Sequence, residues 1–278
     1  MLLVNGCSFT MGDELEGVYQ NPMTHWPLTW AYQLARKLDT VEDNIANCGS
    51  GNDKIFRDTL DYLVKHAEER DITDVMILWS DPIRKETLLE VPDYDVDDME
   101  VFPHISMTQW HERRNNDVAL SMSLDLTRIH CNDAIYNYHN TFKRRPRTIT
   151  ALRSTYGTGF THMLSKMIAM QTICDGMGIR IMQGCFHSHM RTEWLKISTK
   201  IKNGTTSKQL KDWRAWGSDS LLQLRPECKI GLSGDYNMTL KEFQQDRDWH
   251  PGGHPDAQAH AEFADYLFNI NKKIGVDD

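Results

Sequence analysis

The chain begins Met1-Leu2-Leu3-Val4-Asn5-Gly6-Cys7-Ser8-Phe9-Thr10-Met11-Gly12-Asp13-Glu14. A short apolar run that breaks at once into a small, polar turn reads as a buried parallel strand. Gly6 lets the backbone turn sharply, and Ser8 falls just past the carboxyl end of that strand. In open α/β sheets ligands bind at that edge. A hydroxyl on a tight strand-to-helix turn is also where hydrolases place a nucleophile. The competing reading makes Ser8 no more than a helix cap, and this turn alone does not separate the two.

Moving outward, a helical pattern covers Leu28 to Leu38, with Leu28, Ala31, Leu34, Ala35 and Leu38 on one face. A short strand ends near Asn44-Ile45-Ala46. A second small-residue turn follows, Asn47-Cys48-Gly49-Ser50-Gly51-Asn52-Asp53. Then comes an amphipathic helix with Ile55, Leu60, Leu63 and Val64 among its apolar positions. Val75 to Trp79 reads as a central strand, stopped by Pro82 in Ser80-Asp81-Pro82-Ile83-Arg84. This order of strands and helices specifies a parallel α/β sheet.

Residues 87 to 150 interrupt the pattern as an insertion, with partly helical elements expected around Ala119 to Tyr138. The pattern returns with a helix from Tyr156 to Met177, capped by Gly178, and a fourth strand from Ile179 to Gly184. Residues 190 to 245 read as a second irregular region with helical pieces. A last helix begins after His254-Pro255, with Pro255 at its first turn and Ala259, Phe263, Leu267 and Ile270 on its apolar face. The 278 residues are expected to form a single domain spanning 1–278.

Composition narrows the function classes. A hydrophobic content of 40% supports a full core, and a formal net charge of −8 argues against a broad nucleic-acid surface. The basic cluster Lys143-Arg144-Arg145-Pro146-Arg147 reads as a solvated loop. No run of about 18 apolar residues is present, so no membrane span is expected, and the first residues lack the pattern of a signal peptide. The six cysteines show no CxxC spacing, which points to reduced thiols. The expected location is the host-cell cytoplasm or a virion.

Three turns carry the chemistry, and a parallel sheet puts them on one edge. They hold Ser8; Gly49 and Asn52; and Asp246-Arg247-Asp248-Trp249-His250-Pro251-Gly252-Gly253-His254-Pro255-Asp256. A serine hydroxyl needs a base, usually a histidine oriented by a carboxylate. The oxyanion that develops needs donors already aimed at it. Ser8 supplies the nucleophile, His254 or His250 the base, and Asp248 the carboxylate, while the N–H groups of Ser8 and Gly49 are donors.

With these residues in view, the chain resembles an SGNH (GDSL-type) hydrolase, most closely the divergent versions found in bacteriophages. Gly6-Cys7-Ser8-Phe9-Thr10 with Gly12 is similar to the family's nucleophile block. Trp26-Pro27, Leu34-Ala35 and the stretch from Asn44 to Ile55 resemble its second block. His254-Pro255, with His260 and Ala264 downstream, resembles the last. The resemblance covers roughly residues 1–86 and 156–275. It implies a flavodoxin-like, three-layer α/β/α sandwich with insertions, and hydrolysis of O-acyl esters on carbohydrates or lipids without metal or cofactor. It also implies Ser8 as nucleophile and Gly49 as oxyanion donor. The family's third donor is an Asn at the end of the third strand. Trp79-Ser80-Asp81 stands there instead, leaving Asn52, Ser80 or Arg84 as substitutes. The family spaces its Asp three residues before its His, whereas Asp248 lies two before His250 and six before His254. His254 better matches the start of the last helix and is preferred as base.

The leading expectation is therefore a serine esterase or deacetylase acting on a small-molecule or glycan ester. The partners considered beside the substrate are a virion assembly or a second copy of the chain; nucleic acid and membrane are not expected. The alternative is a catalytically weak or inactive virion or glycan-binding protein of the same fold. A third reading places a metal among His187, His189, His250 and His254, against which ordinary loop histidines are preferred. Trp194, Trp213, Trp216 and Trp249 are either core residues or the lining of a sugar site. Cys7 is read as a small buried hydrophobe, and His260 as a residue bonded inside the fold. Gly49-Ser50-Gly51-Asn52 lacks the Lys-Ser/Thr ending of a phosphate loop.

Overall fold

In a computed structural model of the chain, the opening run Leu2–Gly6 is a strand, β1, with every residue buried. The structure describes residues 1–13, 15, 26–47, 50–82, 85–89, 120–124, 156–186, 188–202, 224–232, 236–244 and 254–274. Leucine is not a strong strand former, so pairing on both sides decides the conformation. On one side lies β2 (Glu42–Asn44), on the other β3 (Asp74–Trp79), both parallel to β1. Two antiparallel strands, β4 (Lys85–Leu89) and β5 (Leu120–Leu124), form a separate pair. β6 (Arg180–Cys185) then pairs in parallel with β3. The main sheet is all-parallel, in the order β2-β1-β3-β6. Beyond β6 a parallel bridge joins Gly184 to Ile230, with Ile230 N–H donating to Gln183 O at 3.1 Å and Cys185 N–H donating to Ile230 O at 3.0 Å.

Helices fill the crossovers. α1 (Ser8–Met11) follows β1 directly, α2 (Trp30–Lys37) precedes β2, and α3 (Asn52–His66) precedes β3. α4 (Tyr156–Met177) precedes β6, α5 (His189–Lys202) follows it, and α6 (Ala257–Ile274) closes the chain. α6 packs on α2, where Trp30 meets Phe263 edge-on at 5.6 Å and Lys37 pairs with Asp265. α3 packs on α4, and Lys166 reaches Asp53 at 2.9 Å. The core runs through the sheet, with Leu2, Leu3, Val4, Met76, Ile77 and Leu78 all at 0% exposure. Each such side chain stabilises the fold by about 1.5–3 kcal/mol.

Several polar side chains inside the core tie neighbouring elements together. Asn5 donates to Ile55 O at 3.1 Å and to Thr59 Oγ1 at 2.9 Å, which docks α3 onto β1. Gln183 accepts from Trp79 Nε1 and donates to Met167 O, joining β3, β6 and α4. His260 is buried on α6 and accepts from Trp30 N–H at 3.1 Å, satisfying a donor in the first turn of α2. The internal bond expected of His260 is thus present. Cys7, Cys174, Cys185 and Cys228 are free and buried. Burial, with the charges of Cys228 and Asp175 adding, pushes the Cys174 thiol up to about 12, which keeps it protonated and inert.

Several expectations need correction. Leu120–Leu124 is a strand, not part of a helix, because its alternating Leu-Ser-Met-Ser-Leu pairs with Lys85–Leu89. The rest of the stretch from Ala119 to Tyr138 lies outside the described residues. His189–Lys202 is a helix, in keeping with the helical pieces expected in residues 190–245, and is anchored by buried Met190 and Trp194 four residues apart. His189 begins this helix; His187 lies outside the described residues. Trp194 is a core residue; Trp213, Trp216 and Trp249 lie outside the described set. Val64 is 74% exposed, so the apolar face of α3 is narrower than its sequence suggested. Pro255 stands one residue before the cap of α6, which is Asp256, and not in its first turn.

Gly6 is where sequence and packing meet most tightly. A Cβ built there would lie 2.1 Å from Thr10 Oγ1 and 2.9 Å from Leu78 O. The Leu78 carbonyl belongs to a core strand and cannot move aside. Gly6→Ala should therefore cost about 2 kcal/mol or more, in the range of overpacked cores. A urea midpoint equal to that of the parent would contradict the close approach.

Candidate active site

Parallel pairing places the carboxyl ends of β1 and β3 at one edge. Gly6 is in register with Leu78, so Ser8 and Ser80 each lie two residues beyond a paired position. Cys7 is extended at the cap of α1, and Ser8 is its first residue, so the Ser8 N–H has no partner within the helix. Gly12 ends α1 in the left-handed region at φ 84°, where a side chain is costly. That turn folds the chain back, and Gly12 N–H and Asp13 N–H both donate to Ser8 O at 3.0 Å. The second turn is held beside the first. Asn44 Nδ2 donates to Thr10 O at 3.1 Å, and Asn47 N–H reaches Gly6 O at 3.4 Å.

The other end of the chain arrives at the same place. His254 Nε2 lies 2.8 Å from Ser8 Oγ, although the two residues are 246 positions apart. The serine hydroxyl donates when that nitrogen is unprotonated. Ser8 is 4% exposed, and the His254 side chain is 15% exposed. Phe9 packs its ring on His254 at 5.0 Å and on Phe186 at 4.6 Å, forming an apolar wall beside the imidazole.

What fixes His254 is the start of α6. Asp256 Oδ1 accepts from Ala259 N–H at 2.7 Å, an N-cap bond. The buried Gln244 grips the same residue, its Oε1 accepting from Asp256 N–H at 2.8 Å. Pro255 biases the residue before it towards extended backbone. The clasp by Gln244 and Asp256 was not foreseen. The sequence carries a partial signal, an Asp directly before a helical Ala-Gln-Ala, but nothing local marks Gln244.

Asp13 was also missed. Its Oδ2 lies 3.8 Å from His254 Nε2, on the nitrogen that faces Ser8, and its side chain is 14% exposed. It is therefore not placed as the carboxylate orienting the opposite ring nitrogen.

Of the proposed oxyanion donors, Asn52 is engaged with the end of β3. Its Oδ1 accepts from Ser80 N–H at 2.8 Å, and its Nδ2 donates to Ser80 O at 3.1 Å and reaches Asp81 O at 3.4 Å. Ser80 is fully buried, and its hydroxyl has no hydrogen-bond partner among the described residues. Asn52→Ala leaves a buried N–H and C=O unsatisfied, so it should destabilise the protein by about 2–4 kcal/mol. Equal urea midpoints for parent and Asn52→Ala would contradict the clasp. Gly49, Arg84, Asp248 and His250 lie outside the described residues. No group of three or more His, Cys, Asp or Glu side chains able to hold a metal is found among the described residues. No helix among them is long and apolar enough to cross a membrane.

Residues 18–143, less than half of the chain, match a family described as a family of unknown function (DUF6071). That stretch holds α2, β2, α3, β3 and the β4–β5 pair, and leaves out both Ser8 and His254. No curated protein and no solved structure matches the chain.

Proposed function

We propose that the protein is a serine esterase of the SGNH type, acting on O-acyl groups carried by a carbohydrate or other small alcohol. One observation carries this reading: the 2.8 Å contact between Ser8 Oγ and His254 Nε2, made by opposite ends of the chain. A nucleophile and a base within hydrogen-bond reach are what acyl transfer requires. The strand order supports the same reading. β2-β1-β3-β6, with Ile230 bridged beyond β6, follows the flavodoxin-like 2-1-3-4-5 series. The helix pairs α2/α6 and α3/α4 fit the two outer layers of a three-layer sandwich.

In this mechanism Ser8 Oγ attacks the ester carbonyl as its proton passes to His254 Nε2. The Ser8 N–H, and Gly49 N–H where the resemblance holds, stabilise the oxyanion. The C–O bond to the alcohol breaks, and His254 gives its proton to the departing oxygen. Water, deprotonated by His254, then attacks the acyl carbon, the bond to Ser8 Oγ breaks, and His254 returns the proton to Ser8 Oγ as the acid leaves. Asp248 is assigned to the other imidazole nitrogen.

The test is incubation with p-nitrophenyl acetate and with acetylated saccharides, measuring released nitrophenol and acetate. Turnover above a Ser8→Ala control is expected; its absence on every ester would sink the proposal. A second reading, a glycan-binding protein of this fold without turnover, is favoured by one feature. The Asn52 amide is bonded to Ser80 and Asp81 instead of pointing at a substrate oxygen. Saccharide binding without acetate release would select it.

A further inference from the structure

We propose that Gln244 is a positioning residue of the Ser8–His254 pair: acting through Asp256, it holds the imidazole within reach of the serine hydroxyl, over and above what it adds to folding. The inference rests on the esterase reading and deepens it. Gln244 is fully buried and holds Asp256 with both ends of its amide. Its Oε1 accepts from Asp256 N–H at 2.8 Å, and its Nε2 reaches Asp256 Oδ2 at 3.4 Å. The other oxygen of that carboxylate caps α6 through Ala259 N–H. Asp256 is thus fixed at backbone and side chain together. Only Pro255 separates it from His254. Planar peptides and the proline ring leave just ψ of His254 and ψ of Pro255 free between the Asp256 nitrogen and the His254 Cα. A shift of Asp256 is therefore carried to the imidazole, whose Nε2 must stay near its 2.8 Å from Ser8 Oγ. Gln244 can serve as a fixed point because the turn that carries it, Leu240–Gln244, is itself tied down. Lys241 N–H donates to Phe186 O, just past β6, at 3.3 Å. Glu242 accepts from Arg191 of α5 at 2.8 Å and from Thr239 N–H at 2.7 Å. Met238 N–H donates to Tyr266 Oη on α6 at 3.2 Å.

The experiment measures kcat and KM for p-nitrophenyl acetate, with a urea midpoint, on the full chain and on Gln244→Leu, Gln244→Glu and Gln244→Glu/Asp256→Asn. Leucine fills similar space but neither donates nor accepts. Gln244→Leu should lower kcat of the folded protein about tenfold or more and leave KM within about twofold, the mark of a group that acts in the transition state. Gln244→Glu sets two carboxyl groups side by side, and such a pair can share one proton. Its kcat relative to the parent's should therefore fall as pH rises from about 6 to about 9. Adding Asp256→Asn restores the bonds with their polarity reversed and keeps an N-cap residue, so it should bring kcat back to within about threefold of the parent's across that range. A lower urea midpoint with parental kcat in Gln244→Leu overturns the inference, because Gln244 would then serve the fold alone. Should Gln244→Leu not fold, the inference is overturned if Gln244→Glu keeps the parent's kcat at every pH, or if Asp256→Asn fails to restore a lost rate. In those events Ser8-dependent hydrolysis by the parent still stands, and the esterase reading survives. A parent that hydrolyses no ester removes that reading, and this inference falls with it.

Discussion

Ser8→Ala should lower kcat for ester hydrolysis by at least about 10³-fold while leaving the fold in place. In the proposed mechanism the loss is large because the hydroxyl forms the covalent bond. Cys7, the adjacent nucleophile by sequence, is fully buried at the cap of α1 and does not stand in for it. The structural cost is small by comparison. Removing Oγ deletes one hydrogen bond to His254, worth about 1 kcal/mol. Far-UV circular dichroism and a urea curve close to the parent's, together with loss of turnover, are the expected pair of results. A variant that retains a tenth of parental activity would show that another group is the nucleophile.

His254→Ala should produce a loss of similar size for a different reason. The proton on Ser8 then has no acceptor 2.8 Å away, and the hydroxyl is left as a poor nucleophile. Groups that act as one unit are not additive, so the Ser8→Ala/His254→Ala double variant should be no slower than either single one. His250→Ala is the matching control. If His254 is the base, it should cost far less than His254→Ala. The reverse order would move the base to His250 and leave the observed contact without a catalytic role.

Where periodicity was strong, sequence and structure agree. β1, β3, α4 and α6 were readable because their apolar residues repeat at the period of a buried strand or an amphipathic helix, and Tyr156–Met177 was bounded at both ends. The hairpin strand Leu120–Leu124 was not, because five alternating residues in a polar stretch gain their meaning only from the partner strand. For α5 only helical pieces were expected and not the bounds, because Met190 and Trp194 anchor a helix that is otherwise mostly polar. That Ser8 and His254 stand together was legible because a turn after a strand and the start of a last helix both fall at the carboxyl edge of the sheet. Asp13 was not, since its position depends on the left-handed Gly12 and on a tertiary approach to His254. Gln244 was hidden for the same reason, twelve residues from the aspartate it holds.

The most direct test is mass-spectrometric mapping of the protein after reaction with a fluorophosphonate, which captures serines activated by a neighbouring base. The account predicts a single adduct on Ser8, absent in Ser8→Ala and strongly reduced in His254→Ala. An unlabelled parent protein, or an adduct on a different serine, would contradict it.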